Sequence, residues 1–188
     1  MHQIEKENLR KQYLSIRRNT PNEQLSAWSY RIQEAILEFI DRQQIDTVML
    51  YAAFRSEPET QPLLKKLLEK KVRVALPKSQ KNGVMEAYIV SAIEELAPAT
   101  FGILEPPADV FLSPNEQQLI LVPGAVFGRD GSRIGYGGGF YDRYLSACSQ
   151  AIKAGVCYEF ALVDCVPTDE HDIKMDCFFT ENGCVNKV

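Results

Sequence analysis

The sequence predicts an α/β protein, a three-layer α/β/α arrangement around a mainly parallel, Rossmann-like sheet. Three observations lead there. The runs Val48–Ala53, Val72–Leu76, Leu119–Val122 and Ile152–Tyr158 are largely apolar throughout, as strands covered on both faces are. Stretches with apolar residues at helical spacing alternate with them, the order expected of strands joined by crossover helices. Beyond several of these runs come prolines, glycines and charged residues, at the strand ends where ligands of open α/β sheets sit.

Taken in order, residues 3–18 are charge-rich with Ile4, Leu9, Tyr13 and Ile16 apolar, which reads as an amphipathic helix. Asn19, Thr20 and Pro21 break it. Thr20, Pro21 and Glu23 then read as N-cap, first-turn proline and capping-box acid of a second helix. That helix runs to about Arg42, with Trp28, Ile32, Ala35, Ile36 and Phe39 on one face. Val48–Ala53 is the first strand, and Pro62 starts a helix with Leu63, Leu64, Leu67 and Leu68 facing inward. Val72–Leu76 is a strand that Pro77 and Lys78 should end. Asn82 and Gly83 form a turn before the alternating run Val84–Val90. A short acidic helix near Ser91–Leu96 precedes a proline-rich connection. The strand Leu119–Val122, a helix over Tyr141–Cys148, the strand Ile152–Tyr158 and a last strand near Phe178 complete the chain. The strand-end rule gathers Phe54–Glu59, Pro77-Lys78, the 124–140 loop and Glu159 at one rim.

With 188 residues, 45% hydrophobic and 24% charged, the chain fits one domain over 1–188 with a sizeable core. A formal net charge of −4 argues against a nucleic-acid binder. No apolar run reaches membrane-spanning length, and the charged N-terminus lacks the apolar core of a secretory signal. The five cysteines form no C-x-x-C pair and read as reduced packing thiols. The expectation is a cytoplasmic monomer acting on small molecules, without nucleic-acid or membrane partners.

The chemistry concentrates in Leu119–Leu145. A buried strand ends at Pro123 and Gly124, a polar turn follows at Arg129–Gly131, and Gly135, Gly137, Gly138 and Gly139 lead into a helix. Glycines let backbone N–H groups approach an anion and permit positive φ; the first N–H groups of a helix lack internal partners. Arg133 and Arg143 flank the cluster. No Gly-Lys-Ser/Thr triplet exists, and Phe140 stands where the third glycine of a dinucleotide fingerprint belongs. Both common nucleotide motifs are therefore excluded.

Val122–Gly124, the Phe127–Gly131 turn and the run Arg133–Arg143 resemble the signature of the 5-formyltetrahydrofolate cyclo-ligase family, also called 5,10-methenyltetrahydrofolate synthetases. Lys6–Arg10, Ser56–Thr60, Gly102–Pro106 and Glu170–Asp172 agree in the family's order. One departure is Gly128, where the family pattern carries an acid. The resemblance implies ATP- and Mg²⁺-dependent closure of 5-formyltetrahydrofolate, with or without a polyglutamate tail, to 5,10-methenyltetrahydrofolate.

It also implies site residues. Lys6, Glu7, Asn8, Leu9 and Arg10, with Arg133, Ile134, Gly135, Tyr136, Gly137, Gly138, Gly139, Phe140 and Tyr141, fall at the ATP site. Lys6, Arg10 and Arg133 are the catalytic cations among them. Phe54 and Glu59 correspond to folate contacts, and Tyr136 and Phe140 are further substrate candidates. Asp142 and Asp172 match the Mg²⁺ ligands. Without the resemblance each has a plainer reading. Lys6 and Arg10, one helical turn apart, would be a solvated basic face, and Glu57 and Glu59 would be acids before a helix N-terminus. Asp142 would be a first-turn acid, Asp172 a loop cap, and Tyr141 and Tyr144 packing aromatics. A non-catalytic nucleotide- or phosphosugar-binding regulator would keep the glycine loop without needing both aspartates. A phosphosugar isomerase would need no ATP.

Overall fold

The computed structural model describes residues 2–80, 83–99 and 102–188. Its elements are α1 His2–Asn19, α2 Asn22–Gln43, β1 Thr47–Met49, α3 Gln61–Glu69, β2 Arg73–Ser79 and β3 Met85–Val90. The two-residue strands β4 Ala97–Pro98 and β5 Leu104–Glu105 follow, then β6 Leu119–Pro123, β7 Val126–Gly128 and β8 Arg133–Ile134. The chain ends with α4 Phe140–Leu145, β9 Ile152–Val156, β10 Leu162–Val163, β11 Cys177–Thr180 and β12 Gly183–Asn186.

The main sheet has the order β12-β11-β9-β6-β1-β2-β3. Its five central strands are parallel, while β3 and β12 are antiparallel edges. This is the mainly parallel sheet that the apolar runs predict. Successive residues of each strand enter opposite cores: Val48 and Leu50 pack under α2 and α3, whereas Met49 faces the other side. Leu25, Ile32, Ile36 and Ile40 of α2 and Leu63, Leu64 and Leu67 of α3 cover the first face. The second face is covered by Tyr144 and Leu145 of α4 and by Phe127 and Leu162. These last two belong to a small sheet of order β10-β7-β8, against which Leu9 and Tyr13 of α1 lie.

Several local expectations need correction. Pro77 does not end β2. The strand continues because it pairs with β3, with Pro77 opposite Ala87. What ends there is the ladder to β1, whose last register pair is Met49 and Ala75; proline has no N–H to extend it. Thr20 does not cap α2, since its hydroxyl donates to Ile16 O at 2.9 Å and so closes α1. α2 starts behind Pro21 without a side-chain cap. The helix after the glycine cluster is six residues, Phe140–Leu145, and residues 50–53 lie beyond the β1 ladder. Asn82 of the Asn82-Gly83 turn lies outside the described residues. Cys148, Cys157 and Cys177 are packing thiols as expected, but Cys165 and Cys184 are exposed, so packing does not account for them.

Candidate active site

The glycine loop leaves β8 and enters α4. Gly137 at φ 96° and Gly139 at φ 64° take left-handed backbone that residues with a Cβ rarely adopt, and Gly139 is the residue before the helix. Tyr136, Gly137 and Gly138 are exposed. The backbone N–H groups of Gly137, Gly138 and Gly139 donate to no atom among the described residues. Three successive unpaired donors on a loop without side chains are the arrangement that anion-binding concavities use.

α1 lies across this loop. Its apolar Ile4 and Ile16 are exposed, while its buried residues are Lys6 and Arg17. The helix therefore docks through these buried cations as well as through Leu9 and Tyr13 on the small sheet. Arg10 Nε donates to Gly135 O at 2.8 Å, and a methyl group on Gly137 would lie 3.8 Å from Arg10 Nη2. Arg10 also pairs with Glu7. Arg17, which the sequence reading passed over, reaches Gly124 O at 3.3 Å and the Tyr136 hydroxyl at 3.2 Å. A signal for it existed: residues 6, 10 and 17 share one helical face at spacings of 4 and 7 residues.

Lys6 donates to Asp169 at 2.6 Å and to Asp172 at 2.5 Å. Burial alone would lower its pKa. The hydrogen bonds and charges of the two aspartates outweigh that and hold it above the ordinary lysine value. The Lys6 hydrogen bond correspondingly holds the Asp169 carboxyl below its usual range. Asp172 also accepts from Asp169 N at 2.8 Å, so it is a loop cap and an ion-pair partner at once.

Arg133 lies beneath the glycine loop, close enough that a methyl group on Gly135 would sit 2.8 Å from its Nη1. It donates to Pro123 O at 3.2 Å and from Nη2 to both Asp142 oxygens at 2.9 Å. Asp142 Oδ1 also accepts from Ile173 N at 3.3 Å, so Asp142 and the chain beside Asp172 share one edge of the loop. Among the described residues no group of three or more His, Cys, Asp or Glu side chains could hold a metal. One or two carboxylates are nevertheless what Mg²⁺ commonly takes from a protein, with phosphates and water completing the set. Asp142 and Asp172 fit that set.

On the strand-end segment, Phe54 is half-buried with the Arg55 guanidinium 4.8 Å from its ring centroid. Glu59 is exposed; its backbone is pinned to α2 by Ser29 Oγ at 3.1 Å and Gln33 at 2.8 Å. Glu57 is the buried acid of this turn, taking a hydrogen bond from the Tyr136 hydroxyl. Sequence reasoning saw only a helix N-terminal acid in Glu57. Phe140 is half-buried against the second core. Tyr141 is half-buried against both cores, its buried hydroxyl without a partner among the described residues, and Tyr144 pairs with Gln117. Arg143 ties the loop down by donating to Gly83 O and Gly138 O at 2.9 Å each.

A shallow cleft of about 650 Å³ between α2 and α3 contains none of these residues. Its two lysines are spent on acids of the same cleft, Lys66 on Glu34 at 2.6 Å and Lys70 on Asp41 at 2.9 Å. The departure at Gly128 has a packing cause. A Cβ there would lie 2.2 Å from Ser132 Oγ, 2.5 Å from Asp130 Oδ1 and 2.8 Å from Cys165 Cα. An acid at 128 would force this turn apart.

The model of the 5-formyltetrahydrofolate cyclo-ligase family matches residues 2–181. The chain is 35% identical over 139 residues to the 5-formyltetrahydrofolate cyclo-ligase of Mycolicibacterium smegmatis, covering 69% of this chain and 70% of that one. It is 26% identical over 181 residues to the protein of the same name from Haemophilus influenzae, covering 93% and 97%. Among solved structures, the 5,10-methenyltetrahydrofolate synthetase of Aquifex aeolicus superposes with a TM-score of 0.86 at 30% identity, covering 96% and 92%. The synthetase of Mycoplasma pneumoniae superposes with a TM-score of 0.78 at 24% identity, covering 94% and 98%, and bears on the fold alone.

Proposed function

The chain belongs to the 5-formyltetrahydrofolate cyclo-ligase family, and on that premise we propose that it closes 5-formyltetrahydrofolate to 5,10-methenyltetrahydrofolate, consuming ATP with Mg²⁺ and releasing ADP and phosphate. The observation that carries the ATP site is the run of three unpaired N–H groups at Gly137–Gly139 with Arg10 laid beside it. We further propose a cytoplasmic, monomeric, single-domain enzyme without nucleic-acid partners. The family match over 2–181, the net charge of −4 and the absence of disulfides among the five cysteines support parts of that reading. No helix among the described residues is long and apolar enough to cross a membrane.

A formamide carbon is a weak electrophile because its nitrogen donates into the carbonyl. Transfer of the γ-phosphoryl to the formyl oxygen turns that oxygen into a leaving group. N10 then bonds to the formyl carbon, the C–O bond breaks, the oxygen departs with phosphate and N10 loses its proton. The substrate brings its own nucleophile, so the protein's task is positioning and charge neutralisation. The loop N–H groups, Arg10 and Lys6 would hold phosphate oxygens. Arg133, buried beneath the loop, acts through Asp142 by fixing its carboxylate. Phe54, Glu59, Tyr136 and Phe140 are assigned to the folate. Bound at Asp142 and Asp172, Mg²⁺ would neutralise the phosphate charge.

The charges of the site are paired with one another: Lys6 with Asp169 and Asp172, Arg10 with Glu7, Arg133 with Asp142. A phosphate chain binding Lys6 would compete with Asp169 and with Asp172, one of the proposed metal ligands. Nucleotide and cation therefore relieve each other's cost, which makes their binding reciprocal. Calorimetric titration should show ATP binding about tenfold or more tighter with Mg²⁺ than with chelator, and Asp142→Asn should remove most of that gain. Equal affinity under both conditions, unchanged by Asp142→Asn, would contradict the assignment.

A further inference from the structure

We propose that Arg17 is a positioning residue of this reaction: through the Tyr136 hydroxyl it anchors the glycine loop to the strand ends and holds the Tyr136 ring at the site. The inference rests on the preceding functional reading for what the ring meets, and on geometry alone for the anchor.

Arg17 is 7% exposed on a helix whose Ile4 is 70% exposed. Burying a guanidinium while leaving isoleucine in water is unfavourable unless the cation is engaged. Its partners are neutral: Ser56 Oγ and Gly124 O, each at 3.3 Å, and the Tyr136 hydroxyl at 3.2 Å. The nearby anion is Glu57, reached through that hydroxyl, which donates to its carboxylate. The other Glu57 oxygen takes Phe54 N–H at 2.8 Å. One phenol thus joins α1, the turn after β1, the end of β6 and the glycine loop.

Burial, the largest effect, holds the Glu57 carboxyl above its usual range even though the Tyr136 hydrogen bond, the Phe54 N–H and the Arg17 charge each pull it down. Burial, and next the Glu57 charge, raise the Tyr136 phenol far above its ordinary range, so it remains a proton donor. Yet Tyr136 as a residue is 47% exposed. The hydroxyl is sunk and the ring is open. A ring held by its far end is a fixed platform for a flat ligand, and fixing a contact group in advance lowers the ordering cost of binding.

The test uses Tyr136→Phe, which keeps the ring and removes the anchor, and Arg17→Lys, which keeps the charge and loses the fork. Each should raise KM for 5-formyltetrahydrofolate about tenfold, with a smaller fall in kcat. The double variant should be little worse than the worse single one, because both break the same link. Glu57→Gln keeps an acceptor for the Tyr136 hydroxyl but turns an NH2 toward Phe54 N–H and removes the charge beside Arg17, so it should fall between wild type and Tyr136→Phe. Chymotryptic cleavage within residues 136–141 should quicken several-fold in Tyr136→Phe and Arg17→Lys, a result that needs no turnover. Unchanged cleavage, or lowered melting temperatures with unchanged KM, would overturn the proposal. If wild-type protein does not turn over 5-formyltetrahydrofolate, the functional reading falls and the cleavage rates still decide the anchor.

Discussion

Arg133→Ala is expected to lower kcat/KM about a thousandfold or more and to cost about 3 kcal/mol of stability. The Arg133 side chain is 5% exposed; its Nη2 donates to both oxygens of Asp142 while Nη1 donates to Pro123 O, so two separate nitrogens hold two separate partners, which the single nitrogen of lysine does not match. Removing it deletes the bond to Pro123 O and the guanidinium 5.7 Å from the Tyr141 ring centroid, and leaves a carboxylate without its partner. Because the Asp142 side chain keeps 23% of its exposure, water can recover part of that loss, which sets the stability cost at the lower end of the range for broken buried pairs. The effect on turnover is larger, because a carboxylate free to rotate no longer meets the metal and phosphates in a fixed geometry. Arg133→Lys should fall between. Urea unfolding and steady-state kinetics on the same preparations check both parts. Near-wild-type turnover in Arg133→Ala would remove Asp142 positioning from the account.

Phe127→Ala should produce the largest loss of stability, about 3–5 kcal/mol. Phe127 is fully buried between the main sheet and the small β10-β7-β8 sheet. Its ring occupies space left by two glycines: a methyl group on Gly124 or Gly155 would lie 2.7 Å from it. Phe178 closes the slot edge-on, with centroids 5.9 Å apart. Alanine there leaves a cavity that neither glycine can fill. Since Phe127 pairs with Arg133 across β7 and β8, the same change loosens the floor of the glycine loop. Urea unfolding should show a lower midpoint with an unchanged slope. A loss below about 1 kcal/mol would mean that the small sheet repacks independently.

The parallel core was legible because β1, β6 and β9 are covered on both faces, so their residues are apolar almost without interruption. The small sheet was not, since strands of two or three residues carry no period. Nor was the β11–β12 hairpin, whose second strand alternates burial at the sheet edge. Pro77 misled because proline forbids one ladder bond, not a strand paired on its other edge. In the site, the glycine loop announced itself by composition. Arg17 and Glu57 did not, because a charged residue looks solvated until tertiary structure supplies its partners. The pairing of Lys6 with Asp172 spans 166 positions and leaves no local trace. Gly128, a departure from the family pattern, is explained by the Ser132 and Cys165 atoms that crowd it.

The most direct measurement mixes purified protein with 5-formyltetrahydrofolate, ATP and Mg²⁺ and follows the absorbance of the methenyl product, alongside mixtures lacking ATP or Mg²⁺. The account predicts product only when all three are present. Product without ATP, or none in the complete mixture while folate and ATP still bind, would contradict it.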